Sequence, residues 1–414
     1  MTNEKLSLKD YAKALGPGAI MSAAIIGPGT VTTASQQGAL YGYTSLWVIL
    51  AACLIAYFFQ EPAMRIAIGC KETVMVGVRE HLSSGVAKFL WIVIFVGSIA
   101  FQAGNLTGAA MALEFFIPSI STLTWSVIMS ALAFIVVMMN RYKLIENINQ
   151  VLVILMVLAF VLTAVTSGPD IGDMVTEGFS FHIPGGNAVL AVSLLATTVT
   201  PNLVLGYSSF LRQKYADSPN PNRDIKLAKA DLGLNMFVTF LITGSIVVCS
   251  ATVIHPTGKE ITSAADMAAQ LVPLLGRFAG ILFSLGLFAA AISSVLYQIS
   301  IHQSLFPTAF KMDEDPRAKH NVIILLAVVL IPLVIIALSG SSPVQLIITA
   351  QALNGIALPM VCIICWILCN KKKLLGDYAN NLRQNVVMGI VTAFTTIFAL
   401  NALISVAKNI ISMF

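Results

Sequence analysis

The first long apolar run of the chain, at about 13–40, is interrupted near its middle by Gly27-Pro28-Gly29-Thr30. A proline inside a helix removes a backbone hydrogen bond and adds a steric clash, at a cost of about 3 kcal/mol. In a lipid bilayer, the backbone groups that such a break frees must find partners in the protein or line a hydrated cavity. The interruption therefore predicts a polar cavity at membrane depth.

Apolar runs of about 20 residues, long enough to cross a bilayer as a helix, recur along the whole chain. Of the 414 residues, 57% are hydrophobic and only 10% are charged, whereas a soluble domain carries about 25% charged residues. The runs are continuously apolar rather than alternating, which excludes a transmembrane β-barrel. We therefore predict an all-α membrane protein, with one transmembrane domain over 1–414 and the lipid bilayer as its partner.

Eleven membrane spans are predicted, at about 13–40 (interrupted), 44–68, 87–117, 122–140, 147–167, 184–212 (interrupted), 227–253, 274–304, 321–339, 343–369 and 384–411. The sixth span is broken by Thr200-Pro201-Asn202, five spans after the first break. Breaks at matching positions of two halves are typical of transporters built from inverted repeats. The repeats are predicted at about 13–167 and 184–369, with 384–411 as an added span. Two unrelated proline kinks are the alternative interpretation.

The 24 Lys and Arg residues are divided unevenly between the two sides of the predicted bundle. With the N-terminus inside, all but Lys259, Arg277 and Lys408 fall on the cytoplasmic side. This asymmetry predicts a multi-pass plasma-membrane protein with a cytoplasmic N-terminus and an extracellular C-terminus. The net charge of +5 is then explained by the basic residues that accumulate on the cytoplasmic side. We therefore expect no nucleic-acid partner, and nothing in the sequence requires more than a monomer.

The two breaks release backbone carbonyls, including those of Ala24 and Thr197, beside the neutral side-chain oxygens of Thr30, Thr200 and Asn202. Oxygen ligands suit a hard cation. Neutral oxygens do not strip water from a strongly hydrated divalent ion, and Mg²⁺ usually keeps several waters when it binds to a protein. A wide polar site of this composition therefore suits a hydrated Mg²⁺.

Charged and metal-ligating side chains are scarce within the spans. Glu61 is the only acid near the middle of a span, and it lies four residues before Arg65 on the same helix face. A structural or gating ion pair is the preferred interpretation of Glu61, and a role in transport is the alternative. The five His are scattered over loops and span ends, and Cys362, Cys365 and Cys369 lie in one apolar helical run without a second ligand pair nearby. We therefore expect no bound cofactor, and a metal ion only as substrate.

Several short motifs occur in the same order as in a known family. They are Leu15-Gly16-Pro17-Gly18, Gln37-Gly38-Ala39-Leu40-Tyr41-Gly42-Tyr43, Gln60 with Arg65, Gly108-Ala109-Ala110-Met111-Ala112-Leu113, Tyr207-Ser208-Ser209, and Gln351 with Pro359. On these motifs, which cover nearly the whole chain, the sequence resembles the NRAMP family of divalent-metal transporters. The resemblance implies the LeuT-type 5+5 inverted repeat of that family, and a transporter rather than an enzyme.

The sequence departs from the family at both breaks. In the first break the family normally reads Asp-Pro-Gly-Asn, and Gly27 and Thr30 stand here at the Asp and Asn positions. In the sixth span the family normally reads Met-Pro-His, and Thr200 and Asn202 stand at the Met and His positions. A thioether favours transition metals over Mg²⁺, so its replacement removes that preference. The replacement of Asp removes the only direct anionic ligand.

The family's proton-coupling groups are replaced as well. Its acidic pair in the third span falls at Gln102 and Asn105, and its histidine pair in the sixth span falls at Asn202 and Tyr207. None of these side chains titrates near neutral pH. Gln102, Asn105 and Thr107 either line a wet pathway or form hydrogen bonds to neighbouring helices, and the sequence leaves both interpretations open.

This combination resembles the NRAMP-related magnesium transporters, a prokaryotic branch. The resemblance implies uptake of Mg²⁺, and also Mn²⁺, as a largely hydrated ion that is driven by the electrochemical gradient without proton coupling. The implied site comprises Gly27, Thr30, Thr200, Asn202 and Gln351, the carbonyls of Ala24 and Thr197, and Asn354. Hydrogen bonding between helices is the other interpretation of Gln351 and Asn354.

Two other functions remain open from the sequence. One is a LeuT-type transporter of another substrate, either a transition metal or a small organic solute whose carboxylate would bind at the half-helix N-termini. The other is a transport-inactive relative that acts as a receptor or scaffold.

Overall fold

The structure is a computed structural model, and it describes residues 7, 10–11, 25–139, 158, 160–181, 188–340 and 342–411. Every regular element within these residues is a helix. In the first half of the chain the helices are α1 (Pro28–Tyr41), α2 (Leu46–Gly69), α3 (Val74–His81), α4 (Ser84–Glu114), α5 (Thr122–Met138), α6 (Ile171–Thr176), α7 (Ala188–Thr198) and α8 (Pro201–Lys214), and residues 160–166 are also helical.

In the second half they are α9 (Pro221–Val253), α10 (Ala264–Ala269), α11 (Val272–Leu275), α12 (Ala279–Phe310), α13 (Lys319–Leu338), α14 (Pro343–Asn354), α15 (Leu358–Cys369), α16 (Lys372–Leu375) and α17 (Leu382–Ile411). Short 3₁₀ turns connect some of them, at Gly42–Ser45, His255–Thr257, Gly276–Phe278, Gly355–Ala357 and Gly376–Tyr378.

Eight helical stretches of the described residues are long and apolar enough to cross a membrane, judged by length and composition alone. One of them, Pro28–Gly69, contains α1 and α2 and so corresponds to the first two predicted spans. Helix α5 is apolar but has only 17 residues, and most of the predicted span 147–167 lies outside the described residues. The all-α prediction is confirmed, and the number of eleven spans stays a prediction.

Helix α4 lies at the centre of the bundle and packs along α12, α14 and α5. With 31 residues it is about 46 Å long at 1.5 Å per residue, more than the thickness of a bilayer core. Gly97, Gly104 and Gly108 lie on one face of this helix. A Cβ at each position would come within 3.0 Å of Asn354, 3.3 Å of Ala350 and 2.5 Å of Pro28 Cγ, respectively. The glycines therefore allow α1 and α14 to approach the backbone of α4.

The start of α4 differs from the predicted boundary at 87. The Oγ atom of Ser83 accepts a hydrogen bond from the backbone N–H of Val86 at 3.1 Å. This N-cap begins the helix at Ser84, three residues earlier than hydropathy indicates. Hydropathy detects the apolar part of a helix, whereas the cap determines where the hydrogen-bond ladder begins.

The predicted span at 343–369 is present as one helical stretch, Pro343–Cys369, long and apolar enough to cross a membrane, and it contains a local change of helix type. Helix α14 ends at Asn354, a 3₁₀ turn occupies Gly355–Ala357, and α15 begins at Leu358. Pro359 has no backbone N–H to donate to the carbonyl four residues earlier, so regular α-helix is interrupted there. The turn gives the bundle a third interrupted helix, next to the two that the sequence predicts.

Candidate functional site

The first break is stabilised by hydrogen bonds among its own residues. Gly27 is extended (φ −98°, ψ −174°) and precedes Pro28, the first residue of α1, where a missing N–H costs nothing. The Ile25 carbonyl accepts hydrogen bonds from the Gly27 N–H at 2.9 Å and from the Thr30 hydroxyl at 2.5 Å. Both lone pairs of that freed carbonyl are therefore used inside the break.

The second break is likewise stabilised by a threonine hydroxyl that donates to a backbone carbonyl of the break. Thr200 is extended (φ −97°, ψ 126°) and precedes Pro201, the first residue of α8. Its hydroxyl donates to the Thr197 carbonyl at 3.1 Å. A hydroxyl that donates its one proton keeps two acceptor lone pairs. Thr30 and Thr200 therefore each stabilise a break while their oxygens remain able to accept from water or contact a cation.

The residues around the first break form one polar level of the site, which we call the first level. A Cβ on Gly27 would lie 2.5 Å from Ser294 Oγ of α12 and 3.6 Å from Asn105 Oδ1 of α4. Gln351 of α14 lies against Gly29, where a Cβ would approach the Gln351 Cγ to 2.9 Å. Four helices thus bring amide, hydroxyl and backbone groups together at Gly27.

A second level surrounds the start of α8. The Asn202 amide donates to Gln298 Oε1 of α12 and, at 3.5 Å, to Ser98 Oγ of α4. Asn354 of α14 packs against α4 next to Ser98, because a Cβ on the neighbouring residue Gly97 would approach Asn354 Oδ1 to 3.0 Å. Between the levels, Gln102 donates to the Val295 carbonyl at 3.4 Å.

The two levels are about 10 Å apart, since Ser98 and Asn105 are seven residues apart on one helix with a rise of 1.5 Å per residue. The implied site is therefore an elongated polar strip along α4 rather than one compact ligand cage. Gly27, Thr30 and Gln351 belong to its first level and Asn202 and Asn354 to its second, whereas Thr200 and the Thr197 carbonyl lie at the break that precedes α8. Ala24 lies outside the described residues.

Many polar atoms of this strip have no protein partner, although all are buried. Within the described part of the chain, no hydrogen-bond partner is found for Gln102 Oε1, Asn105 Oδ1 and Nδ2, Asn202 Oδ1, Gln351 Oε1 and Nε2, or Asn354 Nδ2. Each such atom costs about 1–3 kcal/mol if it stays dry. Buried polar groups of this kind are commonly satisfied by a polar ligand or by buried water, each water making about three hydrogen bonds.

Other potential metal ligands lie away from the strip. Among the residues that the structure describes, no three His, Cys, Asp or Glu side chains group together in a way that could hold a metal ion. His302 is buried in an aromatic environment, with ring centroids 5.4 Å from Phe95 and 6.3 Å from Trp91. His255 contacts the Ala39 carbonyl through Nδ1 at 2.8 Å. His182 lies outside the described residues.

The ion pair predicted between Glu61 and Arg65 is present, with Arg65 Nε 2.8 Å from Glu61 Oε2. Lys229 Nζ of α9 lies 3.1 Å from the other carboxylate oxygen. The Arg65 guanidinium also donates to the Tyr378 carbonyl at 2.8 Å and to Asn380 Oδ1 at 2.7 Å. This cluster joins α2, α9 and the turn before α17, and among the residues that the structure describes none of its hydrogen bonds or ion pairs involves the polar strip.

Three side chains of the strip, Ser98, Ser294 and Gln298, are absent from the implied site. A signal for them exists in the sequence. Ser294 and Gln298 are four residues apart and so share a face of α12, and Ser98 shares a face of α4 with Gln102 and Asn105. Two polar stripes in apolar spans indicate facing surfaces, but the sequence does not tell which two helices meet.

The family model "Natural resistance-associated macrophage protein-like" matches residues 18–405. The chain belongs to the Nramp family. Its members are membrane transporters and not enzymes, which agrees with the prediction from the sequence.

Two Nramp relatives match along most of this chain. It is 26% identical over 400 residues to the divalent metal cation transporter MntH of Caldanaerobacter subterraneus subsp. tengcongensis, which covers 95% of this chain and 93% of the relative. It is 24% identical over 402 residues to the natural resistance-associated macrophage protein 2 homolog of Dictyostelium discoideum. The second alignment covers 95% of this chain and 63% of that longer relative.

Solved structures confirm the LeuT-type fold. A mutant of the manganese transporter of Eremococcus coleocola superposes with a TM-score of 0.80 at 17% identity, covering 99% of this chain and 89% of the other. Mhp1, a nucleobase-cation-symport-1 family transporter, gives a TM-score of 0.65 at 14% identity, covering 95% and 93%. MhsT in complex with L-phenylalanine gives 0.64 at 15% identity, covering 94% and 98%. At these identities the likeness concerns the fold alone.

Proposed function

We propose that this multi-pass membrane protein transports divalent metal cations, Mg²⁺ by preference and Mn²⁺ in addition, as largely hydrated ions and without proton coupling. Membership of the Nramp family supports divalent-metal transport, because relatives carry the names divalent metal cation transporter and manganese transporter. The choice of Mg²⁺ is our own inference from the polar strip.

The neutral composition of the strip is the observation that carries the choice of ion. The side chains assembled around the two breaks are amides and hydroxyls, contributed by α1, α4, α8, α12 and α14. Transition metals are selected by soft sulfur or imidazole ligands, and a fully dehydrated Mg²⁺ needs anionic oxygens. Waters bound to Mg²⁺ lie about 2.1 Å from the ion, and the neutral oxygens of the strip are suited to accept hydrogen bonds from such waters.

Uncoupled transport is supported by the groups at the positions of the family's titratable residues. Gln102 and Asn105 on α4, and Asn202 and Tyr207 on α8, are all buried and carry no charge that changes near neutral pH. An inward membrane potential of 100 mV favours the entry of a divalent cation by about 4.6 kcal/mol. The potential therefore drives uptake by itself.

The expected orientation has the N-terminus in the cytoplasm of a prokaryotic cell, with the protein acting as a monomer in the plasma membrane. Basic residues at one end of the bundle support it: Lys71 Nζ donates to the Ala216 carbonyl at 3.2 Å, and Arg212 and Lys371 donate to the carbonyls of Lys71 and His81. This end is expected to face the cytoplasm.

Purified protein in liposomes that contain a Mg²⁺ indicator and, in parallel vesicles, a pH dye tests the proposal. With an inside-negative potential we expect Mg²⁺ entry, a slower or weaker Mn²⁺ entry, and no acidification linked to either. The Mg²⁺ uptake rate should stay flat between about pH 6 and 8, because no group of the strip titrates there. Empty liposomes provide the control.

Each contrary outcome removes a defined part of the proposal. If Mg²⁺ does not enter while Mn²⁺ does, the proposed preference is wrong and a transition metal is the substrate. Entry of Mg²⁺ together with protons in a fixed ratio contradicts only the uncoupled mechanism. If neither metal enters, the protein transports another substrate or is inactive.

Restoring the family's ligands is expected to change the ion preference. In Gly27→Asp combined with Thr200→Met, we expect tighter Mn²⁺ binding and a lower preference for Mg²⁺, because a carboxylate and a thioether displace water from Mn²⁺ and the thioether discriminates against Mg²⁺. The Asp Cβ would lie 2.5 Å from Ser294 Oγ, so Ser294→Ala is added to make room. Isothermal titration with both ions measures the change.

Gly27→Ala with Thr200→Met and Ser294→Ala is the matched control for that variant, because it differs from it only in lacking the carboxylate at residue 27. We expect a smaller gain in Mn²⁺ affinity from it. Equal Mn²⁺ affinities in the control and the Asp variant would show that residue 27 does not face the ion.

A further inference from the structure

Gly27 packs closely against α4 and α12. A Cβ at this position would clash with Ser294 Oγ, 2.5 Å away, and would lie 3.6 Å from Asn105 Oδ1. Any side chain on residue 27 would therefore extend toward these two groups. With glycine there, no side chain of residue 27 competes for the polar groups that α4 and α12 present at the first break.

Asn105 is less satisfied by hydrogen bonds than Ser294. Its side chain is fully buried, and neither Oδ1 nor Nδ2 has a hydrogen-bond partner among the described residues. A side-chain amide offers two donors and two acceptor lone pairs. Inside a membrane no bulk water reaches it, so an unmet amide beside the first break is positioned for a polar ligand that binds there.

The chemistry of an amide limits how it contacts a divalent cation. An amide oxygen carries only a partial charge, so it replaces a water molecule on Mg²⁺ far less readily than a carboxylate does. It readily accepts a hydrogen bond from a bound water, since the ion polarises the O–H groups of that water. With about 2.1 Å from ion to water and about 2.8 Å from water to oxygen, the ion lies about 4–5 Å from such an acceptor.

We propose that Asn105 and Ser294 hold the water shell of the transported ion at the place where Gly27 supplies no carboxylate. The Asn105 Oδ1 atom accepts a hydrogen bond from an ion-bound water, and Ser294 Oγ, next to it on α12, accepts from a second one. The two residues thereby keep the ion hydrated at the first level of the strip. This inference rests on the proposed function, because it assigns the groups that bind the waters of the hydrated ion.

A replacement of Asn105 by an apolar residue of the same shape tests this assignment. In Asn105→Leu we expect the KM for Mg²⁺ uptake to rise about tenfold with a smaller change in kcat, because one water-mediated contact in the bound state is lost. Ser294→Ala removes only the second contact, and we expect a smaller rise in KM. Thermal unfolding of each purified variant shows whether the bundle is intact.

Thr107→Val is the matched control on the same helix. Thr107 is as buried as Asn105, but its hydroxyl donates at 2.8 Å to the Ala103 carbonyl of its own helix and does not face the strip. The swap is also polar to apolar with the shape retained. We expect the KM of this variant to match that of the wild type.

Hexaamminecobalt(III) separates recognition of the water shell from a general effect on packing. Its six ammonia ligands do not exchange, so it mimics a hydrated ion that cannot be stripped. We expect it to inhibit Mg²⁺ uptake by the wild type, and to inhibit Asn105→Leu and Ser294→Ala less. A merely structural role of Asn105 would leave this inhibition unchanged.

The failure of this inference is distinct from the failure of the proposed function. If wild-type liposomes take up no Mg²⁺, the proposed function fails. If they do take it up, and both Asn105→Leu and Ser294→Ala keep the wild-type KM and the wild-type inhibition by hexaamminecobalt(III), the assignment of these two residues is overturned. Should Asn105→Leu not fold, Ser294→Ala decides by the same two measurements.

Discussion

Gly108→Ala is expected to lower metal transport by at least about tenfold and to destabilise the protein by about 1–3 kcal/mol. A Cβ on Gly108 would lie 2.5 Å from Pro28 Cγ and closer still to Pro28 Cβ. Pro28 is a rigid ring and the first residue of α1, so it cannot rotate away as a long side chain would. The added methyl group must therefore push α1 away from α4, which displaces Gly27 and Thr30 from the first level of the strip.

Gly286→Ala on α12 is the control for this prediction. A Cβ on Gly286 has no heavy atom within 4 Å among the described residues, and alanine is favoured over glycine inside a helix by up to about 1 kcal/mol. We expect this variant to keep wild-type uptake and to melt at the same temperature or higher. Uptake into liposomes and thermal unfolding in detergent measure both variants. Equal behaviour of Gly108→Ala and Gly286→Ala would mean that the close approach of α1 to α4 is not needed.

Arg65→Gln is expected to have the second large effect, a loss of about 3 kcal/mol of stability. The Arg65 side chain is 5% exposed and bonds at once to Glu61, the Tyr378 carbonyl and Asn380. Removal of the guanidinium leaves the carboxylate, which is only 11% exposed, with Lys229 as its charged partner. It also releases the turn that leads into α17. Thermal unfolding, together with the rate of protease cleavage at 371–381, provides the measurement.

Two further variants show whether the loss of stability in Arg65→Gln comes from the lost tether to the turn before α17 or from the changed charge near Glu61. Lys229→Gln should cost less than Arg65→Gln, because the Lys229 side chain is 40% exposed and water screens its charge. Arg65→Lys should not restore stability, since one ammonium group does not reach three partners in the geometry of a planar guanidinium. If Lys229→Gln is as damaging as Arg65→Gln, the net charge near Glu61, rather than the tether to the turn, determines stability.

The two predictions concern two different sets of contacts, one that positions the polar strip and one that stabilises the bundle. The contact between Pro28 and Gly108 positions the polar strip at its first level. The cluster around Arg65 joins α2 to α9 and to the turn before α17, and within the described part of the chain it forms no hydrogen bond or ion pair with the strip residues. We therefore expect Arg65→Gln to affect mainly stability, and Gly108→Ala to affect transport more than stability alone would explain.

The interrupted helices could be predicted from the sequence because their cause is local. A proline at Pro28 or Pro201 lacks the N–H that a continuous helix requires, wherever the chain folds. The ion pair of Glu61 with Arg65 was also predictable, since residues four apart share a helix face. The 3₁₀ turn at Gly355–Ala357 has the same local cause, in Pro359, and it lies within the predicted span without ending it.

By itself the sequence determined an all-helical membrane protein, the two matched breaks, the neutral residues that stand at them, and membership of a family. Only the tertiary structure decided which surfaces meet there. It brought Asn105 and Ser294 against Gly27, separated Asn202 and Asn354 from them by about two helical turns, and showed that the Ile25 carbonyl is used by Gly27 and Thr30. The reason is that residue spacing defines the face of one helix, whereas the contact between faces depends on how small residues such as Gly97, Gly104 and Gly108 let distant helices approach.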